Sequence, residues 1–365
     1  MRYYVILVAI SALVTFFATF FVRRIGTNFT RNELRRRDIH TKPVPRIGGI
    51  AMYFGAMAGV ATSLLIPFFQ TQWSDFRTFA AIGAAATLLC VFGVLDDIFN
   101  LDWMLKLAVQ IISAAIVAVN GVQILSLPIG GLTVGSNRAS LVLTILIIVA
   151  VINAINFIDG LDGLAAGVTL IGAIAFLVYS WRLLSDQYNY AIGASLIVSV
   201  LVGICIGFLP HNFYPAKIFM GDTGSQLLGF LLAVSVLLVT GRIDPESANT
   251  HALPAFTPLF IPFLVLILPL FDMVFAIIRR LIRGKSPFSP DRKHLHHRIL
   301  DIGHTHRGTV LLLYLWAAVF AFGSYAYIFL SGKTATIVLL GISAVLLVAT
   351  FAPKVMITDP FEQDE

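Results

Sequence analysis

Charged side chains are scarce in this sequence. Only 12% of the 365 residues are Asp, Glu, Lys or Arg, whereas 58% are hydrophobic, and the mean hydropathy is +0.90. A soluble domain carries roughly 25% charged residues, so about half of the expected charge is missing. This shortage excludes an ordinary water-soluble domain and indicates a chain whose main solvent is lipid.

Cysteine is rare as well. Cys90 and Cys205 are far apart, and each lies within an apolar run. The pair therefore offers neither a disulfide framework nor the spacing of a zinc site. We expect both thiols to be small buried hydrophobic groups.

Apolar runs of about twenty residues recur along the chain, and each is long enough to cross a bilayer as a helix. Gly55 and Gly59 form a GxxxG pair in the second run, which predicts close packing against a neighbouring helix. We predict an all-α polytopic integral membrane protein with about eleven transmembrane helices, and ten is the alternative count. The predicted spans are residues 3–22, 47–69, 77–95, 104–120, 139–157, 163–181, 188–208, 224–241, 254–278, 309–331 and 334–352.

The distribution of Lys and Arg predicts the orientation, because cytosolic loops of membrane proteins are enriched in these residues. The predicted loops 23–46 and 279–308 hold eight Lys or Arg residues each. With eleven spans both loops lie on one side, which is then the cytosolic face of the cell (inner or plasma) membrane. The opposite side receives only Arg2, Arg77, Arg138, Arg182, Arg242 and Lys333. We expect the N-terminus outside, the C-terminus in the cytosol and a small extracytoplasmic hairpin near residues 121–138.

Acidic residues replace basic ones in three other loops predicted on the cytosolic side. These loops contain Asp96, Asp97, Asp102, Asp159, Asp162 and Asp222. A charge near the hydrocarbon is costly and usually faces a polar cavity with a function. Converging carboxylates repel each other unless a cation joins them, and hard oxygen ligands select Mg²⁺ or Mn²⁺ over zinc. Beside two basic loops, such a cluster indicates phosphoryl chemistry, in which a metal ion neutralises phosphate oxygens.

Five segments taken together resemble one family. They are DIHTKPVPRIGGIAMY (38–53), GVLDDIFNLDW (93–103), NAINFIDGLDGLAAG (153–167), PAKIFMGDTGSQLLG (215–229) and PDRKHLHHR (290–298). In this order they resemble the polyprenyl-phosphate N-acetylhexosamine-1-phosphate transferases of glycosyltransferase family 4. The first loop and the interrupted histidine run are similar to the WecA/TagO-type N-acetylglucosamine-1-phosphate transferase branch. The phospho-N-acetylmuramoyl-pentapeptide transferases of peptidoglycan synthesis, which have three consecutive histidines, remain an alternative.

The resemblance implies a Mg²⁺-dependent transfer, with Mn²⁺ as a substitute. A polyprenyl (undecaprenyl or decaprenyl) phosphate attacks the β-phosphate of UDP-N-acetylglucosamine, which gives a lipid-linked diphosphosugar and UMP and initiates an envelope glycan. The implied partners are a UDP-amino sugar, a polyprenyl phosphate and membrane lipids, with no nucleic acid. The oligomeric state is left open, with a homodimer as one option.

The resemblance also assigns residues. Asp96 and Asp97 match the paired catalytic aspartates, and which of them acts on the lipid phosphate is left open. Asn156 and Asp222 match the metal ligands. The implied substrate-binding residues are Lys42, Asp159, Asp162, Arg292, His294, His296 and His297. We expect residues 1–365 to form one transmembrane catalytic domain, whose active face consists of loops 23–46, 96–103, 156–162, 209–223 and 279–308.

A transporter of an anionic lipid or metabolite is the alternative from another class, because membrane acids and many helices fit it too. The informative residues, however, lie at one face rather than at the membrane midplane. Two matching helix-breaking segments in two halves of the chain are not found. The sequence therefore favours the transferase.

Overall fold

The computed structural model describes residues 2–29, 44–73, 75–124, 136–185, 191–240, 270–275, 277–282, 284 and 295–352. Within these ranges the chain forms helices and no β-strand, as predicted for an all-α membrane protein. The predicted hairpin near residues 121–138 falls largely on residues 125–135, which lie outside the described residues.

The helix boundaries follow the apolar runs closely. The helices are α1 (Arg2–Phe29), α2 (Gly48–Leu64), α3 (Gln70–Trp73), α4 (Phe76–Phe99), α5 (Trp103–Val119), α6 (Asn137–Ile158), α7 (Leu164–Ser185), α8 (Ala191–Asn212), α9 (Gly221–Thr240), α10 (Leu295–Asp301), α11 (His306–Phe329) and α12 (Gly332–Phe351). A 3₁₀ turn (Pro67–Phe69) precedes α3, and residues 270–275 and 277–282 are also helical.

Eight of the described helices are long and apolar enough to cross a membrane, and α2 and α5 are shorter apolar helices of 17 residues. At 1.5 Å per residue a 17-residue helix is about 25 Å long, which is close to the shortest helix that spans a bilayer. The multi-pass membrane architecture is therefore confirmed. The predicted span 254–278 falls mainly outside the described residues, so the count of eleven stays a prediction.

The centre of the bundle is formed by α8 and α9. The α8 helix contacts α1, α2, α7 and α9, while α9 also contacts α2, α4 and α6. Nearly all residues of α8 are buried, which is typical of a helix surrounded by other helices. Large apolar side chains are exposed on outer helices, for example Phe21 on α1 and Leu340 on α12, as expected for surfaces that face lipid. Both cysteines are buried, as predicted.

The GxxxG pair of α2 packs against α1, as predicted from its spacing. A Cβ atom added at Gly55 would meet the hydroxyl of Thr15, and one added at Gly59 would meet the hydroxyl of Ser11. Both hydroxyl side chains are fully buried. Small residues thus let the two helix backbones approach closely, and this contact fixes α2 beside the centre of the bundle.

Local signals set the helix ends near the acidic residues. Asp102 precedes α5, and its carboxylate accepts a hydrogen bond of 3.0 Å from the Met104 N–H. The α4 helix ends where Asn100 adopts a left-handed conformation with φ of 51°, and the Asn100 N–H donates to the Asp96 carbonyl. An Asp before the first turn and a left-handed Asn after the last one are favoured caps. The connection from α4 to α5 is therefore a tight corner of three residues.

Candidate active site

Four helix ends meet at one end of the bundle. Asp96 and Asp97 lie in the last turn of α4, Asn156 lies near the end of α6, and Asp222 lies in the first turn of α9. The predicted catalytic pair and the predicted metal ligands are thus on helices rather than in loops, because the helices continue beyond the apolar windows that identified them. The start of α5 completes the group. Residues that are far apart in sequence are therefore neighbours in the fold.

Asp97 binds the beginning of α9. Its Oδ1 accepts a hydrogen bond of 2.8 Å from the Asp222 N–H, and its Oδ2 accepts from the Thr223 N–H at 3.2 Å and from the Thr223 hydroxyl at 2.7 Å. The first N–H groups of a helix have no partner inside the helix, and the helix dipole favours a negative charge there. Asp97 therefore caps α9 from a different helix and fixes the position of Asp222.

Lys106 joins two of the carboxylates. Its Nζ atom lies 2.5 Å from Asp96 Oδ2 and 3.0 Å from Asp222 Oδ2. The other oxygen of Asp96 accepts a hydrogen bond of 2.8 Å from the Leu101 N–H. The ammonium group therefore offsets the repulsion between two acids that α4 and α9 bring together. Lys106 follows the acidic segment 96–103 at the start of an apolar helix, but it was not predicted as a site residue.

Asn156 lies against the carboxylate of Asp222. Its Nδ2 donates to Asp222 Oδ1 at 3.3 Å and to the Ser225 hydroxyl at 2.8 Å. Among the described residues, no group of three or more His, Cys, Asp or Glu is arranged to hold a metal ion. A carboxylate beside an amide fits a Mg²⁺ ion, because this ion commonly takes one or two carboxylates, phosphate oxygens and several waters rather than an all-protein cage.

The segment before α2 pairs with the segment before α9. Residues 45–49 and 219–220 are joined by three backbone hydrogen bonds of 2.8 to 2.9 Å. At Gly49 a Cβ atom would meet the backbone of Gly224, so the close approach requires glycine. Arg46 lies in this segment, with its guanidinium 5.8 Å from the centre of the Phe219 ring. Two of the five motifs that carry the family resemblance are therefore in direct contact.

Gly221 connects this pairing to the carboxylates. Its φ of +69° lies in the left-handed region that favours glycine. A Cβ atom at this position would meet the Asp97 carboxylate and the Arg46 carbonyl. The glycine before Asp222 in the MGD sequence therefore has a local reason, since any larger residue would push Asp97 away from the start of α9.

Asp159 follows α6 and is partly buried. Burial and the negative charges of Asp222 and Asp97 raise the pKa of Asp159 to about 7, and the charge of Arg46 opposes this shift. Asp162, three residues on, lies in a second group of contacts. Its carboxylate accepts a hydrogen bond of 2.8 Å from the Ala216 N–H.

The remaining predicted residues are described only in part or not at all. Lys42, Arg292 and His294 lie outside the described residues. His296 and His297 lie in α10, of which the structure describes the backbone at these two positions. Their assignment as substrate-binding residues stays a prediction.

Comparison with known proteins agrees with the geometry. Residues 79–240, which include the whole carboxylate cluster, match the family model described as Glycosyl transferase family 4. The decaprenyl-phosphate N-acetylglucosaminephosphotransferase of Mycolicibacterium smegmatis is 40% identical, over 94% of this chain and 86% of the relative. The probable undecaprenyl-phosphate N-acetylglucosaminyl 1-phosphate transferase of Bacillus subtilis is 34% identical, over 86% and 81%.

A third relative extends the comparison to another group of bacteria. The undecaprenyl-phosphate alpha-N-acetylglucosaminyl 1-phosphate transferase of Escherichia coli is 31% identical, over 85% of this chain and 79% of the relative. These identities extend over most of each chain. The structure adds a membrane fold whose acidic residues are gathered at one end of the helix bundle. The chain therefore belongs to glycosyl transferase family 4 and is a membrane enzyme of the phosphotransferase type.

Proposed function

We propose that this enzyme transfers N-acetylglucosamine 1-phosphate from UDP-N-acetylglucosamine to a membrane polyprenyl phosphate and releases UMP. The observation that carries the proposal is the group of Asp97, Asn156 and Lys106 around Asp222, at the end of a bundle of apolar helices. A lipid phosphate and a water-soluble nucleotide can meet at such a place. The names of the relatives supply the acceptor class and the sugar, and they favour N-acetylglucosamine over a muramoyl-pentapeptide donor.

The proposed reaction forms one P–O bond and breaks another. An oxygen of the lipid phosphate bonds to the β-phosphorus of the donor, and the bond from that phosphorus to the bridging oxygen breaks, so that its electron pair leaves with UMP. Both reactants are anionic, and holding them together is a large part of the barrier. A phosphate monoester is mostly doubly ionised at pH 7, because its second pKa is near 6. The acceptor therefore does not require a strong general base.

The contacts of the aspartate pair support organising roles. Asp97 accepts three hydrogen bonds from Asp222 and Thr223 at the start of α9. Asp96 binds Lys106 and the chain after α4. We therefore assign to Asp97 the positioning of Asp222, and to Asp96 the positioning of Lys106. In this proposal Lys106 supplies positive charge to the phosphates.

The proposal includes a Mg²⁺ ion, for which Mn²⁺ can substitute. Asp222 and Asn156 would hold it, and when bound it would neutralise charge on the diphosphate. An ion held by only these two protein groups would take its other ligands from phosphate and water, as Mg²⁺ prefers. Asp159 and Asp162, in the loop after α6, would line the donor pocket.

We place the site on the cytosolic face of the cell membrane. The support is the positive-inside rule, because segments 23–46 and 279–308 carry eight Lys or Arg residues each and are predicted on the same side as the acidic cluster. UDP-sugars are made in the cytosol, so this orientation gives the enzyme its donor.

The test uses purified, detergent-solubilised protein with radiolabelled UDP-N-acetylglucosamine, undecaprenyl or decaprenyl phosphate and Mg²⁺, with and without EDTA. We expect lipid-extractable label and UMP only when Mg²⁺ is present. Asp222→Asn should abolish transfer, whereas Asp301→Asn, which changes an exposed acid at the end of α10, should retain it.

Three outcomes would contradict parts of the proposal. Transfer from UDP-muramoyl-pentapeptide but not from UDP-N-acetylglucosamine would move the enzyme to the sister branch. Equal transfer in EDTA would remove the metal ion from the proposal. No transfer from either donor by folded protein would make the transporter the function to test.

A further inference from the structure

His306 contacts the loop that follows α6 from a distant part of the chain. It is the first residue of α11, and it lies outside the residues 79–240 that match the family model. Its side chain is 6% exposed. Its Nε2 atom accepts a hydrogen bond of 3.1 Å from the Asp162 N–H, which requires that this nitrogen carry no proton.

The same imidazole ring stacks on Tyr214, which lies in the loop before α9. The two ring centres are 4.6 Å apart, and the ring planes differ by 24°. Arg307, the next residue, donates to the Tyr214 carbonyl at 3.2 Å. The start of α11 therefore contacts two loops at once, residues 159–163 and residues 213–219.

These two loops are also bound to each other. The Asp162 carboxylate accepts from the Ala216 N–H. The Asn212 side chain accepts from the Gly163 N–H at 3.1 Å and donates to the Ile218 carbonyl at 3.0 Å. The loops thus form one unit. The first loop follows Asn156 in sequence, and the second loop precedes Asp222. Movement of this unit would move the proposed donor pocket.

We infer that His306 is a positioning residue for the sugar-nucleotide donor, acting through the hydrogen bond from Asp162 to its Nε2. The inference rests on the proposed function, which places the donor beside Asp159 and Asp162. His306 holds the backbone of this loop and leaves the Asp162 carboxylate to bind the neighbouring loop. Its contribution is therefore to donor affinity rather than to the lipid acceptor.

Three substitutions separate the hydrogen bond from the packing. In His306→Gln the amide oxygen can take the place of Nε2, whereas in His306→Asn it lies closer to the position of Nδ1. His306→Phe keeps a ring to stack on Tyr214 and removes the acceptor. We expect His306→Phe and His306→Asn to raise the KM for UDP-N-acetylglucosamine about tenfold, the usual size for one lost hydrogen bond. The KM for the lipid should stay within about twofold, and His306→Gln should restore the donor KM.

His304→Phe is the matched control. His304 lies two residues earlier, and its Nε2 contacts the Thr350 carbonyl of α12 instead of the loops. We expect this variant to keep both KM values. Equal increases in both KM values for His306→Phe, or an unchanged donor KM, would overturn the inference.

Hydrogen–deuterium exchange gives a second measurement that does not depend on turnover. Peptides that cover residues 159–164 should exchange faster in His306→Phe and His306→Asn than in the unmodified protein and in His306→Gln. Unchanged exchange in these peptides would also overturn the inference. Inactivity of the unmodified protein with every donor would instead contradict the proposed function, while the exchange result would still test the role of His306.

Discussion

The carboxylate of Asp97 accepts a 2.8 Å hydrogen bond from the backbone N–H of Asp222, a residue 125 positions away in sequence. Asp97 serves α9 as an N-cap residue does, but from the end of α4. The position of the proposed metal ligand therefore depends on a second acid that need not touch the metal. Substitutions at Asp97 should thus affect stability and turnover together.

Asp97→Asn should lower the melting temperature and reduce kcat by more than about tenfold, with a small change in the donor KM. An amide has one oxygen where the carboxylate has two, so at least one of the donors from α9 loses its acceptor, at a cost of about 1–3 kcal/mol. Thermal unfolding and initial rates on the same preparations check both effects. Asp102→Asn is the control, since Asn and Asp cap helices about equally well. An Asp97→Asn protein with normal kcat and stability would exclude the capping role.

Gly221→Ala should inactivate the enzyme and destabilise it. The new methyl group would meet the Asp97 carboxylate, and the left-handed backbone disfavours any side chain. Gly83→Ala in α4 is the matched control, because a Cβ atom there meets nothing within 4 Å. It should be neutral or stabilising by up to about 1 kcal/mol through helix propensity. Similar behaviour of the two variants, measured by thermal unfolding and kcat, would show that the space around Gly221 is not limiting.

The sequence predicts the helices well because lipid imposes a length and a polarity on each span. The predicted span 77–95 and the observed helix Phe76–Phe99 differ only at the ends. The extra residues include Asp96 and Asp97, because a hydropathy window stops at the first charges while the backbone hydrogen bonds of the helix continue. The acids appeared as loop residues for this reason.

The site is less predictable than the helices. The gathering of Asp97, Asp222 and Asn156 could be expected from the motifs, whereas the role of Lys106 could not. A single lysine at a helix start is also explained by the preference for positive charge on the cytosolic side. Its partners depend on how closely α4 and α9 approach, and no local pattern encodes that distance. His306 was missed because its contact with Asp162 joins residues 144 positions apart.

Asp159 should make the stability of the metal-free protein depend on pH. Its pKa of about 7 in the folded protein lies above the ordinary value near 4, so between these pH values the folded state binds more protons than the unfolded state. Stability should therefore fall as the pH rises through this range and change little above it. In EDTA, the melting temperature of Asp159→Asn minus that of the unmodified protein should increase between pH 5 and pH 8. Parallel curves for the two proteins would exclude a raised pKa at Asp159.

Lys106→Met should weaken catalysis and strengthen metal binding. Methionine keeps the length of the side chain but removes the charge that lies 2.5 Å from Asp96 and 3.0 Å from Asp222. Without that charge, a divalent ion no longer competes with an ammonium group for the Asp222 carboxylate. We expect Mn²⁺, followed by electron paramagnetic resonance without substrates, to bind about tenfold more tightly, which corresponds to ~1.4 kcal/mol. We expect kcat to fall by at least about tenfold, because the phosphates lose a fixed positive charge.

Lys217→Met provides the comparison for this substitution. It removes an exposed lysine from the loop before α9, so its long-range effect on a metal ion is screened by salt. Its Mn²⁺ affinity and kcat should stay close to those of the unmodified protein. Weaker Mn²⁺ binding in Lys106→Met would mean that Lys106 supports the ion rather than competing with it. Unchanged Mn²⁺ binding with a reduced kcat would limit Lys106 to the phosphates and separate its two proposed effects.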